Sequence, residues 1–409
     1  MSCLYDFVVV SLGMEQNKRA IWGCFSGTGI QTVFICAALL IGFFSFNLMA
    51  ADMGMQKLFV GSYSPADEAG IKCYEFDPLN GKLTFLSGTS GIENPSFLAV
   101  HSNGRFLYAV SETDNRGSNS SGGVAAYRIV SDKGELEKLN EVTSGGAAPC
   151  HISLDRSEQM LMTANYNGGS IAAFPVLEDG SLGGMSSFDQ HTGSSVNPTR
   201  QNIPHAHSIN SSPDNRFALV PDLGLDKVFV YRLDPEKKSL EKNDPPYATV
   251  PGGSGPRHLT FHPNGSVVYV INEMASTVTV FSYQAKEGTL QAIQSVSTRP
   301  EGFEGRNSTA EVVVDPSGRY LYGSNRGHDS IAVFSIDQDT GKLEVVQHRR
   351  TGGRTPRNFC LSPDGKFLLA ANQRSDNLLV FPLDEASGEI LDPVEKISLK
   401  APVCIRFMK

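Results

Sequence analysis

One phrase recurs seven times along this chain: an apolar run opening on Pro or a small residue, a Pro-Asn/Asp-Gly type turn, and a second apolar run ending in a short polar residue. The clearest copies are PRHLTFHPNGSVVYVINE from Pro256 and PRNFCLSPDGKFLLAANQ from Pro356. PSFLAVHSNGRFLYAVSE, PCHISLDRSEQMLMTANY, PHAHSINSSPDNRFALVPD and AEVVVDPSGRYLYGSNRG are looser copies, from Pro95, Pro149, Pro204 and Ala310. The seventh is divided between the ends of the repeat region, PVCIRF at Pro402 and QKLFVGSYS at Gln56. Anchored on Phe97, His151, His207, His258, Glu311, Asn358 and Cys404, the copies lie 46 to 56 residues apart. That is the length of a four-stranded propeller blade with its loops, and stacked copies of one unit bury a core that a single copy cannot.

Each unit continues as a blade should. A third β-rich run follows, such as STVTVFSYQ or DSIAVFSID, and then a Gly-Lys-Leu or Gly-Thr-Leu turn. Val, Ile, Phe and Tyr broken by Pro, Asn, Asp and Gly about every ten residues is an all-β pattern. The reading is an all-β, seven-bladed β-propeller over residues 56–409. Its C-terminal APVCIRFMK lacks a successor and its N-terminal KLFVGSYS lacks a predecessor. Pairing them in one blade closes the ring and removes a sheet edge. An open solenoid needs polar capping repeats, and neither end has that character.

Residues 1–55 differ. From 30 to 49 runs IQTVFICAALLIGFFSFNLM, uncharged, with Lys18 and Arg19 upstream and Ala50 and Ala51 after it. This is a secretory signal, favoured if translation starts at Met14, or a single membrane anchor, since Leu48 and Met49 spoil a clean cleavage site. Either way the propeller is expected to be exported, periplasmic or secreted, rather than cytoplasmic, and to be a monomer. A net charge of −8 without a basic run argues against nucleic acid as a partner. The seven cysteines show neither a CxxC motif nor a disulfide-dense pattern; Cys73 and Cys404 are expected to share the closing blade.

Departures from the repeat locate the chemistry. The second strand ends in Glu112, Asn165, Asp222, Asn272, Asn325 and Asn372, with Ser62 in the seventh copy. That recurrence reads as a structural side chain closing a turn. The next slot varies: Thr113, Tyr166, Leu223, Glu273, Arg326, Gln373 and Tyr63. A variable slot carrying charge in adjacent blades suits a shared channel mouth with an asymmetric ligand. A second ring opens the first strands, with Cys150-His151, His205-Ala206-His207, Arg257-His258 and Arg357-Asn358. Scaffold is the simpler reading of His151 and His258. His-Ala-His would put two imidazoles on one strand face, but no partner ligand is apparent and no metal is expected.

NIPHAHSI, GSGPRHLTFHPNGSVVYVINE and SNRGHDSIAVFSID resemble the seven-bladed lactonase family, which includes propeller-type 6-phosphogluconolactonases and the fungal carboxymuconate lactonising enzyme. The resemblance implies hydrolysis of a small anionic lactone, in the pentose phosphate pathway of carbohydrate metabolism, without a cofactor. It maps the family's site onto His207, Arg257, Glu273 and Arg326, the slots that the repeat had isolated. His205, His151, Arg357 and Gln373 are then the expected substrate contacts. Either Glu273 or His207 is the base, and the arginines hold an oxyanion or an anionic group. A muconate-type cycloisomerase and a non-catalytic binding propeller are the competing readings.

Overall fold

The computed structural model describes residues 54–114 and 121–408. They form seven four-stranded antiparallel sheets, and in six of them the strands run in chain order from the channel outward. Blades 1 to 6 comprise residues 98–143, 149–190, 210–249, 256–297, 308–350 and 356–398. Blade 7 takes its innermost strand, Pro402–Phe407, from the C-terminal end. Its other three, Gln56–Ser62, Ile71–Phe76 and Leu83–Thr89, come from the N-terminal side. Leu58 pairs with Phe407 and Val60 with Ile405, which closes the ring as the divided repeat predicts.

The turn glycines explain how blades dock. Gly180 and Gly388 sit in the left-handed region, at φ 88° and 73°. A Cβ there would fall 2.2 Å from the Phe106 ring and 2.4 Å from the Tyr320 ring of the preceding blade. Glycine thus supplies both the backbone conformation and the space for the neighbouring aromatic. The same turns accept hydrogen bonds from buried tyrosines one blade back, Tyr108 to Gly180 O at 3.1 Å and Tyr322 to Gly388 O at 2.9 Å. Between blades the core is apolar; Phe59, Tyr127, Phe174, Phe281 and Phe381 are almost wholly buried.

The strand-end amides act between blades as well as within them. Nδ2 of Asn165 donates to Ser144 O and to Ser170 Oγ, both at 3.1 Å. Asn325 and Asn372 likewise reach back to Thr298 O and Thr351 O, past the outer strands of the preceding blades. Asn272 instead stays in its own blade, on Thr277 and Thr279. Cys73 and Cys404 do share blade 7, each as a buried free thiol. The apolar stretch 30–49 lies outside the described residues. Among those described, no helix is long and apolar enough to cross a membrane.

Candidate active site

The Pro-Asn/Asp-Gly turns of the repeat join first to second strands, so they lie on one face of the ring. The variable slots after the second strands lie on the other. There Glu273 stands at the centre of a cluster of arginines. It is 7% exposed, and Arg326 Nη2 and Arg257 Nε approach its Oε2 at 2.8 and 3.1 Å. Arg200 Nη2 donates to Oε1 at 2.8 Å. Burial alone would push the Glu273 carboxyl up, but Arg326, Arg257 and Arg200 outweigh it and hold it well below the usual carboxylate range.

Arg257 is locked. Its Nη1 donates to Ala310 O at 2.7 Å and meets His258 Nε2 at 3.1 Å. His258 Nε2 therefore accepts, and Nδ1–H donates to Glu311 Oε1 at 2.9 Å. Glu311 Oε2 then accepts from Asn358 Nδ2, and Asn358 Oδ1 from Ile405 N at 2.8 Å. This relay runs through blades 4, 5, 6 and 7, so His258 serves as scaffold that fixes Arg257. Burial lowers the His258 imidazole to about 4 and the Arg257 guanidinium to about 10.

His207 comes from a segment that departs from the regular blade. Blade 3 has a first strand of only Asn210–Ser211, joined by an isolated bridge between Ala206 and Asp222. The irregular backbone carries His207 to the mouth, with Nε2 3.9 Å from Glu273 Oε2 and Nδ1 3.6 Å from Cys150 Sγ. Burial, Arg257 and His258 push its pKa well down, so the imidazole is neutral at pH 7.

His207, Arg257, Glu273 and Arg326 thus converge. His205 adjoins them, stacked on Tyr166 with ring centroids 4.4 Å apart and Nδ1 2.9 Å from Tyr166 O. Arg357 lies across the mouth, over the Tyr63 ring and donating to its hydroxyl at 3.0 Å. Gln373 opens a single 3-10 turn between the second and third strands of blade 6 and is half-buried. His151 lies deeper, its ring tilted 36° against Phe97 with centroids 4.2 Å apart, where it borders a cavity of about 560 Å³ at the opposite end of the channel. The convergent charges are at the Glu273 mouth instead, and chemistry follows the charges.

Two participants escaped the repeat comparison. Arg200 sits in the long connection between blades 2 and 3, which has no counterpart in other units. It bridges Glu273 to the Tyr166 hydroxyl, 3.1 Å away. Glu112 occupies the strand-end slot assigned to turn closure, yet it accepts from Ser96 Oγ and from Tyr63 OH, the latter at 2.8 Å. Its extra methylene relative to Asp was the available signal.

A closed propeller that gathers three arginines, a buried carboxylate and a neutral imidazole at one mouth presents the groups a hydrolytic enzyme uses. Residues 57–407 match the family model "Lactonase, 7-bladed beta-propeller". A 6-phosphogluconolactonase of Bacillus subtilis is 35% identical over 350 residues, 86% of this chain and 97% of that protein. Among solved structures, the periplasmic gluconolactonase of Pseudomonas aeruginosa superposes with TM-score 0.81 at 35% identity. It covers 87% of this chain and 99% of that one. A putative 6-phosphogluconolactonase of Bacteroides fragilis gives TM-score 0.81 at 33% identity, covering 88% and 99%. The chain belongs to the seven-bladed β-propeller lactonase family and is a lactone hydrolase.

Proposed function

We propose that this protein hydrolyses 6-phospho-D-glucono-1,5-lactone to 6-phosphogluconate by direct attack of water at the Glu273 mouth. One observation carries the reading. Three arginines surround a single carboxylate beside a neutral histidine, leaving a net positive site suited to an anionic substrate and a developing oxyanion.

His207 is the base. Both Glu273 oxygens are occupied by guanidinium donors, which makes that carboxylate a poor proton acceptor. Water oxygen bonds to the lactone carbonyl carbon as its proton passes to His207, and Glu273 stabilises the imidazolium that forms. Arg257 and Arg326 face the oxyanion with N–H groups not spent on Glu273. The ring C–O bond then breaks, and the leaving oxygen takes the proton back from His207. Arg357 and His205 border the substrate on either side. The N-terminal segment 1–55 directs export, in keeping with the similarity to a periplasmic gluconolactonase of Pseudomonas aeruginosa.

The test is the rate of lactone opening above spontaneous hydrolysis, for the purified protein and for an Arg257→Ala/Glu273→Gln double variant. Equal rates sink the assignment. Mass spectrometry of the N-terminal peptide in the membrane fraction separates an anchor from a cleaved signal.

A further inference from the structure

At the end of the channel opposite the Glu273 mouth, two adjoining cavities of about 560 and 420 Å³ share Phe97, His151, Asn210, Leu259, Thr260 and Arg406. A layer of rings separates them from the mouth. Phe97 lies 4.2 Å from His151 and 5.7 Å from His258, and His151 lies 5.4 Å from His258, centroid to centroid. A gap bordered by this layer and by Arg257 and Arg357 of the mouth measures about 10 Å³. That is room for about one water molecule and for no substrate. The two ends of the channel are separate compartments.

Arg406 carries the charge inside the far compartment. It comes from the closing strand Pro402–Phe407, and its guanidinium lies over the Phe97 ring at 4.5 Å. Nη1 donates to Ile405 O at 2.7 Å. Among the described residues it forms no ion pair and no further hydrogen bond. The acids of the wall are spent elsewhere. Glu311 Oε1 takes His258 Nδ1 and Val312 N, and Oε2 takes Asn358 Nδ2, so Glu311 attracts Arg406 only through space. Asp155 accepts from Gln159 N, Met160 N and Asn215 Nδ2, and Glu158 from Ser102 N. Apolar side chains, Ile152, Leu259 and Val312, complete the wall.

We infer that this end of the channel is a second ligand site, taking a small carboxylate with an apolar body. The carboxylate sits on Arg406 and the body against Phe97 and Leu259. A single guanidinium fork matches a planar monoanion. Glu311 and His258 line the compartment and also hold Arg257. A second negative charge beside Glu311 therefore loads the relay that fixes Arg257, and occupancy of the far end acts on the mouth.

Benzoate is the probe, titrated calorimetrically into the full chain. Saturable binding is expected, weakened at least about tenfold in Arg406→Gln. Thr260→Phe, which fills the cavity from blade 4 and leaves the guanidinium in place, should weaken it as well. Arg200→Gln, which alters the mouth, should leave it unchanged. Benzoate should also change kcat for lactone opening by about threefold in the native protein and not in Arg406→Gln. Inhibition competitive with lactone, or binding weakened by Arg200→Gln and not by Arg406→Gln, puts benzoate at the mouth and overturns the site. Absence of saturable binding to the native protein does the same. Binding that depends on Arg406 with unaltered turnover overturns the coupling between the two ends.

Discussion

Arg326 Nη2 lies 2.8 Å from Glu273 Oε2, across the boundary between blades 4 and 5. Both residues occupy the same slot of consecutive repeats, one position beyond the strand-end asparagines Asn272 and Asn325. A repeated scaffold position has become an ion pair because the slot faces the channel mouth in every blade. The pair is part of a larger set: Arg257 adds a second contact to Oε2 and Arg200 occupies Oε1. Such a buried carboxylate depends on its partners, and removing one is costlier than the pair itself is stabilising.

The activity of this protein should not fall until the pH drops below the ordinary histidine range. His207 is neutral because burial and the nearby Arg257 disfavour its charged form. The acid limb of kcat/KM is expected below pH 6.5, with a plateau through neutrality. A limb at pH 7 or higher would falsify His207 as the base.

Stability should decline between about pH 6.5 and 4. The His258 imidazole has its pKa lowered to about 4 in the fold by burial, against an unfolded value near 6.5. As pH falls through that window the unfolded chain takes a proton that the folded one refuses, so stability present above it is lost, by about 3 kcal/mol at the lower end. His207 and His151, shifted the same way, add to the slope. Thermal melts from pH 7 to pH 4 check this, and His258→Gln should flatten the curve. An identical pH slope in that variant counts against it.

Arg257→Lys should damage both fold and rate. Lysine cannot serve Glu273, Ala310 O and His258 together, as the guanidinium does. The expected cost is about 3 kcal/mol of stability by urea denaturation and roughly a hundredfold loss in kcat/KM. A variant within experimental error of the native protein on both scales refutes the relay.

Arg200→Gln should separate the two effects. Its side chain is 44% exposed, so its ion pair stabilises the fold by less than about 1 kcal/mol. It is nonetheless the donor that ties the Tyr166 hydroxyl to Glu273. An approximately tenfold drop in kcat/KM with a nearly unchanged melting temperature is expected. A large loss of stability with normal kinetics would make Arg200 a structural strap instead.

Truncation after Lys400 should open the ring. The deleted strand buries Val403, Cys404 and Ile405 and pairs with Leu58 to Ser62. Without it the inner edge of the Gln56–Ser62 strand loses its partner. Gel filtration should show aggregation and the melt should lose its cooperativity; a soluble monomer melting like the full chain would argue against closure as a stabilising device.

How much could be read beforehand depends on how far apart the partners lie. The strand-end slot and the slot after it isolate Glu273, Arg326, Tyr166 and Tyr63 from seven aligned copies alone. The start of the first strand isolates Arg257, Arg357 and His207. Arg200 belongs to the connection between blades 2 and 3, where copies differ in length and no equivalent slot exists for comparison. Glu112 sat in a slot whose other members tie turns, and only its neighbours Tyr63 and Ser96 show that it faces the mouth.

From the sequence by itself came the blade period, the all-β strands, the divided closing blade and the slots facing the mouth. All of these repeat locally, and period and alternation write them along the chain. Only the tertiary structure decided which charges meet. Arg357 reaches Tyr63 across 294 residues, and Arg200 reaches Glu273 across 73. Such pairings are set by the ring's closure and by irregular connections, since a side chain's electrostatic partners depend on distance in space and not on distance along the chain.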